Sequence, residues 1–117
     1  MSRIRHLDAE DVRKGLADRT IVLIDVREPQ EFAAERIHGA LLFPLSTFDP
    51  QALPEAHKRK LVFHCGSGKR SAMAVAQCAA AGLTHTAHLT GGIAAWKQAG
   101  FATVTIDPET GQVQDKR

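Results

Sequence analysis

An α/β fold with a mostly parallel central sheet, covered by helices on both faces, is what this sequence predicts. Two observations carry that expectation. Short apolar, β-branched runs such as Thr20 to Val26 and Leu61 to Phe63 are long enough for buried strands and too short for helices. They alternate with stretches of helical periodicity, and strand–helix alternation builds a parallel sheet with both faces covered. A third observation marks where such a sheet would bind. Between Lys60 and Leu83 a strand, a Gly-rich loop and an Ala-rich helix follow one another directly, and ligands of open α/β sheets bind beyond the carboxyl ends of the strands.

The elements follow in order. Asp8 reads as a helix cap, with acids in the first turn and Leu7 placed to staple against Val12. Val12 and Leu16 then share one helix face. Thr20 to Val26 is the first central strand, ending at Asp25, Arg27 and Glu28. Pro29 suits a first helical position, so a short helix is expected through Phe32 and Ala33 to Gly39. Ala40 to Leu45 reads as another short strand, closed by Pro44. Pro50 and Pro54 restrict Ser46 to Lys60 to short helical turns. Ser71 is the expected cap of the Ala-rich helix and Gly82 its stop. His85 to Leu89 reads as a strand, and Gly91-Gly92 opens a helix that carries Ile93 and Trp96 inward. Ala102, Val104 and Ile106 alternate with Thr103 and Thr105, the pattern of a half-solvated edge strand. Beyond Asp107-Pro108 a polar, loose tail is expected.

Composition narrows the function. A chain of 117 residues holds one domain, with 44% hydrophobic and 24% charged residues. A net charge of +2, with no basic stripe interleaved with aromatics, argues against nucleic acid as a partner. Lys58, Arg59 and Lys60 read as a solvated loop. No run approaches the ~20 apolar residues of a membrane span, and no apolar leader is visible. Two Cys on dissimilar segments make no disulfide framework, so a reducing cytoplasm is the expected location.

The chemistry concentrates in Cys65-Gly66-Ser67-Gly68-Lys69-Arg70-Ser71. Cys65 leaves a strand, Gly66 and Gly68 turn the chain without a Cβ penalty, and Lys69 and Arg70 enter a helix. A thiol there faces converging N–H groups, the positive end of a helix dipole and two cations, all of which favour the thiolate. A nucleotide phosphate loop, G-x-x-x-x-G-K-[ST], needs Gly where Phe63 stands and Ser or Thr where Arg70 stands. Both positions fail. An inert buried thiol would need neither the flanking glycines nor the cations.

The loop resembles the active-site signature of rhodanese-type sulfurtransferases, C-x-x-G-x-R-[ST]. Asp25-Val26-Arg27-Glu28-Pro29-Gln30-Glu31-Phe32, running on to Ile37-His38-Gly39-Ala40, is similar to that family's upstream signature. Leu89-Thr90-Gly91-Gly92-Ile93-Ala94-Ala95-Trp96, ending at Gly100-Phe101, is similar to the downstream one. The likeness runs over about residues 4 to 106, so residues 1–107 are expected to form a rhodanese-like domain and 108–117 a polar tail. Arg36 and Ala102 depart from the usual His and Pro, outside the loop.

The resemblance implies a two-step transfer of sulfane sulfur through a persulfide on Cys65, with a donor such as thiosulfate. Cyanide, a small thiol or a protein would accept the sulfur, and no cofactor or metal takes part. Gly66, Ser67, Gly68, Lys69, Arg70 and Ser71 would cradle the persulfide. Arg70 has a second reading, a buried pair with Asp25 or Glu28, compatible with the first. Asp25, Arg27 and Glu28 are candidates to line the pocket, with a surface ion pair as the alternative for Arg27 and Glu28. The neighbouring His64 should point to the other face of its strand. Cys78, among alanines in mid-helix, reads as packing, His85 and His88 do not make a metal site, and Trp96 and Phe32 read as core. Phosphatases and arsenate reductases on the same scaffold resemble C-x5-R. This chain has four residues between Cys65 and Arg70, a ring suited to one sulfur atom. Non-catalytic rhodanese-like modules typically lack the Cys that this chain retains.

Overall fold

The computed structural model describes residues 4–116. A five-stranded parallel sheet forms from β1 (Arg5–Leu7), β2 (Ile21–Asp25), β4 (Leu41–Leu42), β5 (Lys60–His64) and β6 (Ala87–Leu89), in the order β1-β6-β5-β2-β4. Three further strands, β3 (Glu35–Arg36), β7 (Thr103–Ile106) and β8 (Val113–Lys116), make a separate antiparallel sheet in the order β3-β7-β8. The helices are α1 (Ala9–Asp18), α2 (Pro29–Ala34), α3 (Lys69–Ala80) and α4 (Gly92–Gln98), with two short 3-10 turns at Leu45–Thr47 and Pro50–Ala52. Among the described residues no helix is long and apolar enough to cross a membrane.

Strand periodicity divides the core. Leu23 and Val62 face Val12 of α1 and Ile93 and Trp96 of α4. Ile24, Leu61, Phe63 and Cys65 face Ala74, Val75 and Cys78 of α3. Side chains alternate across a strand, so β5 sends Cys65 towards α3 and His64 to the opposite face. The α1 start is built as the sequence suggests: Asp8 caps Asp11 N–H at 2.8 Å and Asp11 returns the bond to Asp8 N–H at 3.1 Å.

Several elements differ from expectation. The helix from Pro29 stops at Ala34 rather than Gly39, because Glu35 and Arg36 pair with Thr105 and Val104 of β7. That pairing is fixed from outside the segment, as the Arg27 guanidinium donates to Glu35 O at 2.6 Å and Lys97 pairs with the Glu35 carboxylate at 2.8 Å. The strand expected over Ala40 to Leu45 shrinks to two residues, and that expected over His85 to Leu89 to three. β7 is not an edge strand: β8 covers its other side. The segment expected to be a loose tail thus turns back at 107–111 and pairs through Val113–Lys116. β1 lies in a stretch with no strand pattern of its own and owes its form to pairing with β6.

Candidate active site

Cys65 leaves the buried strand β5, and the chain must reverse at once into α3. Gly68 makes that reversal with φ of +102° and caps the helix, a conformation that costs a side chain but not glycine. Ser71 is therefore not the cap. It sits in the first turn, where its hydroxyl donates to Gly68 O at 3.1 Å. The sulfur lies inside this turn, accepting from Gly68 N–H at 3.1 Å and Ser71 N–H at 3.4 Å. The thiol reaches Ser71 Oγ at 3.8 Å. Cys65 is 1% exposed. Burial alone would push its pKa up, but the backbone N–H groups of Ser71, Gly68 and Ser67 and the Ser71 hydroxyl outweigh it, and the thiol is held below its ordinary value.

A second glycine pair holds the loop from behind. Ile93 N–H of α4 donates to Cys65 O at 2.8 Å and Ala94 N–H to Gly66 O at 3.1 Å. With those carbonyls drawn towards α4, the loop is free to turn N–H groups towards the sulfur. The approach is so close that a Cβ on Gly92 would lie 2.2 Å from Cys65 O. The sequence placed Gly91-Gly92 at the opening of a helix and in the stretch similar to the downstream signature, without a role towards Cys65. Its supporting role follows from a contact between distant segments.

Of the two cations, Lys69 is exposed. Arg70 is tied to Glu31 of α2 by two hydrogen bonds of 2.7 and 3.0 Å. The Arg70 guanidinium holds the Glu31 carboxyl down at about 2. Glu31, the Cys65 sulfur and Asp25 in turn strengthen the Arg70 charge. The partner of Arg70 is thus Glu31, rather than Asp25 or Glu28. A Cβ on Gly66 would meet the guanidinium at 3.2 Å, so Arg70 lies across the loop and Gly66 leaves room for it.

Asp25, Arg27 and Glu28 are not gathered around the sulfur. Asp25 is fully buried, bound by Arg27 Nη2 at 2.8 Å and Arg27 N–H at 2.9 Å. His64 Nε2 lies 3.3 Å from the same carboxylate, at ion-pair distance without hydrogen-bond alignment. Burial would raise the Asp25 pKa, but His64 and Arg27 hold it well below the usual carboxylate range. By the alternation of β2, Asp25 shares the face of Leu23, away from Cys65. Glu28 precedes α2 and accepts from the Ser46 hydroxyl at 2.5 Å. This trio fixes the junction from which α2 presents Glu31 to Arg70. Phe32 is half-buried under Arg36, whereas Trp96 is buried and bonds Ala102 O at 2.9 Å.

Behind Ser71 lies a further set of side chains. Ser71 Oγ contacts His88 Nδ1 at 2.8 Å, and His88 Nε2 contacts His6 Nδ1 at 2.9 Å. The parallel register of β1 and β6 sets His6 directly opposite His88. Local pattern raised His88 only as half of a rejected metal pair with His85, and it did not mark His6. A cleft of about 350 Å³ lined by Arg5, Arg59, Lys60 and His85 lies at the amino ends of β1 and β5, the opposite edge of the sheet from Cys65.

A sheet of this order with a thiol in an amide-lined turn at its carboxyl edge defines a recognisable class, and the comparisons agree. The model of the rhodanese-like domain family matches residues 8–99, and the chain belongs to that family. A sulfurtransferase of Allochromatium vinosum is 35% identical over 103 residues, covering 86% of this chain and 95% of that protein. An uncharacterised protein of Synechocystis is 46% identical over 84 residues, 72% of this chain, and this chain spans only about half of its length (47%). The crystal structure of a rhodanese-related protein from Thermoplasma volcanium superposes with a TM-score of 0.73 at 28% identity, covering 86% of this chain and 97% of the other. The expected rhodanese-like α/β fold is therefore the fold found.

Proposed function

We propose that the protein is a sulfurtransferase that carries sulfane sulfur on Cys65, from a donor such as thiosulfate to a thiophilic acceptor, a thiol or cyanide. The observation that carries this reading is the sulfur itself, buried yet accepting from the Gly68 and Ser71 N–H groups, which favour its thiolate form. The name of the Allochromatium relative supports the same class. Residues 1–107 are read as the catalytic domain, with 108–117 appended to it.

In the first step the Cys65 thiolate attacks the outer sulfur of thiosulfate. A Cys65–sulfur bond forms, the sulfur–sulfur bond of the donor breaks, and sulfite leaves with the bonding pair. In the second step the acceptor attacks the outer persulfide sulfur and Cys65 leaves as thiolate with its pair, ready for the next donor. Amides that favour the thiolate would stabilise a persulfide anion in the same ring. Lys69 and Arg70 attract the anionic donor. Four residues from Gly66 to Lys69 make a ring matched to one sulfur rather than a phosphate.

Mass spectrometry of the protein after incubation with thiosulfate tests the reading. One added sulfur on Cys65, removed by cyanide or a thiol and absent in Cys65→Ser, is expected. Efficient hydrolysis of aryl phosphates with no sulfur ever acquired would overturn it.

A further inference from the structure

Ser71 is fully buried, His88 is 4% exposed, and His6 is exposed at the edge strand β1. The three form a continuous file from the sulfur outward, with spacings of 3.8, 2.8 and 2.9 Å. A buried imidazole with both nitrogens engaged can donate through one and accept through the other. Here neither nitrogen is spent on the backbone: one meets the hydroxyl beside Cys65 and the other meets a surface imidazole.

We propose that Ser71, His88 and His6 form a proton relay for Cys65, in which His88 is the positioning residue whose tautomer decides whether Ser71 accepts from the thiol or donates to the thiolate. The inference rests on the reading of Cys65 as a thiolate nucleophile and adds the residues that set its ionisation.

The proton count closes. With Cys65 as thiol, S–H points to Ser71 Oγ, the Ser71 hydroxyl turns from Gly68 O to donate to His88 Nδ1, and His88 Nε2–H donates to His6 Nδ1. The outer His6 Nε2–H faces solvent. When Cys65 ionises, each proton moves one place along the file. The thiol proton becomes the Ser71 hydroxyl proton, now directed at the sulfur anion. His88 carries its proton on Nδ1, His6 receives one on Nδ1, and the His6 Nε2 proton passes to water. One proton leaves, and each link remains a hydrogen bond with its direction reversed.

The surroundings favour neutral imidazole at His88. Burial, and then the charge of His6, hold its pKa below the ordinary histidine value. The groups facing it are His6 from β1, Ser71 from α3 and, through Ser71, Cys65 from β5. On the same elements, Arg5 and Lys69 are exposed, Arg70 is bound to Glu31, and His64 turns to Asp25 on the other face. Phe63, paired in register with His88 on β5, is uncharged. From the loop, Gly68 approaches the His88 ring so closely that a Cβ there would lie 3.9 Å from Cε1. A cation at His88 would have two donors aimed outward, which would prevent Ser71 from donating into the ring.

The test uses the intact protein labelled with ¹⁵N at histidine. Imidazole spectra recorded across pH should show His88 changing from the Nε2–H to the Nδ1–H tautomer with the midpoint at which iodoacetamide alkylates Cys65. The change should vanish in Cys65→Ser. Alkylation midpoints give the second arm, read on a Cys78→Ala background. His88→Asn should raise the midpoint by about one pH unit, the worth of one hydrogen bond to the anion. His6→Ala, at an exposed position, should raise it by a smaller amount. A single His88 tautomer throughout, or a midpoint unmoved by His6→Ala, would overturn the relay. Neither readout requires sulfur transfer. A protein that fails to acquire sulfur from thiosulfate while showing the tautomer change would defeat the proposed function and leave the relay standing.

Discussion

Cys65 and Cys78 are both free, both almost wholly buried, and both packed in the same apolar cluster between the sheet and α3. Their chemistry is opposite. Burial pushes Cys78 up to about 11, with nothing to offset it. The same burial acts on Cys65, yet the N–H groups of the turn bring it below the ordinary thiol value. Helix position makes the difference: Cys65 meets the free N–H groups of the first turn of α3, whereas around Cys78 those groups are bonded within the helix. Depth in the core therefore says little about a thiol, and the direction of nearby amides says most.

The largest contrast should be in sulfur transfer. Cys65→Ser removes the nucleophile and is expected to lower thiosulfate:cyanide activity by 10³-fold or more, on the order seen when a covalent nucleophile is lost. Its melting curve should stay cooperative. Cys78→Ala should keep activity within about twofold, with a stability loss of roughly 1–2 kcal/mol for a small cavity. Substantial transfer by folded Cys65→Ser would remove the assigned nucleophile.

Next in size is a substitution that should make Cys65 resemble Cys78. Gly92→Ala places a methyl 2.2 Å from Cys65 O at a backbone φ of +59°. The loop must shift, and the N–H groups lose their aim at the sulfur. Activity should fall about 10²-fold, as when one oxyanion donor is removed, with a destabilisation of about 1–3 kcal/mol or more from the backbone conformation. The alkylation midpoint of Cys65 should rise while Cys78 stays unreactive. A wild-type midpoint in this variant would mean that α4 does not hold the ring.

The two thiols also pull stability in opposite directions with pH. For Cys65 the folded pKa is depressed, so its contribution is present above the unfolded value of ~8.5 and is lost as pH falls through the lowered folded value. For Cys78 the folded value is raised, so its contribution is present below ~8.5 and is lost as pH rises towards about 11. Denaturant midpoints of wild type and Cys65→Ser, compared from pH 6 to 9, should diverge as pH rises, with wild type gaining. For Cys78→Ala the divergence should appear only above about pH 9, with wild type losing. Parallel curves in both cases would mean that the folded protein shifts neither thiol.

How much of this could be read from the chain depends on the range of the interactions. The Cys65 turn is local: a strand, two glycines and a helix start within one short segment carry the thiol and most of its donors, and the sequence showed them. The cap at Asp8 is local too. Gly92 behind Cys65, Glu31 against Arg70 and His88 behind Ser71 are tertiary contacts, and no spacing along the chain encodes them. Chain shape misled for the same reason. The run from Pro29 is a good helix until Arg27 and Lys97 capture Glu35, and β1 becomes a strand only because β6 lies beside it. Asp25 illustrates the limit of reasoning by edge: it ends a strand next to β5, but alternation turns its carboxylate to the opposite face.

The smallest effect concerns the charge at the rim. Arg70 belongs to the same turn as the ring that distinguishes Cys65, but its guanidinium is shared with Glu31 through a pair about one-third exposed on each side. Pairs of that exposure contribute about 0–1 kcal/mol to stability, so Glu31→Gln should shift the melting temperature little. The Arg70 guanidinium holds the Glu31 carboxyl down at about 2, so the pair stays charged on both sides around neutral pH. Glutamine keeps the shape and one acceptor while removing the charge. Arg70 then has its full field available for an anionic donor, and KM for thiosulfate should fall by about two- to fivefold, the worth of a screened surface interaction, with kcat nearly unchanged. Arg70→Ala should move KM the other way. Burial is what shifts Cys78, so its alkylation should be insensitive to either change. A Glu31→Gln variant whose KM rises as much as that of Arg70→Ala would show that Glu31 serves by holding the guanidinium over the loop, and that position outweighs charge at this rim.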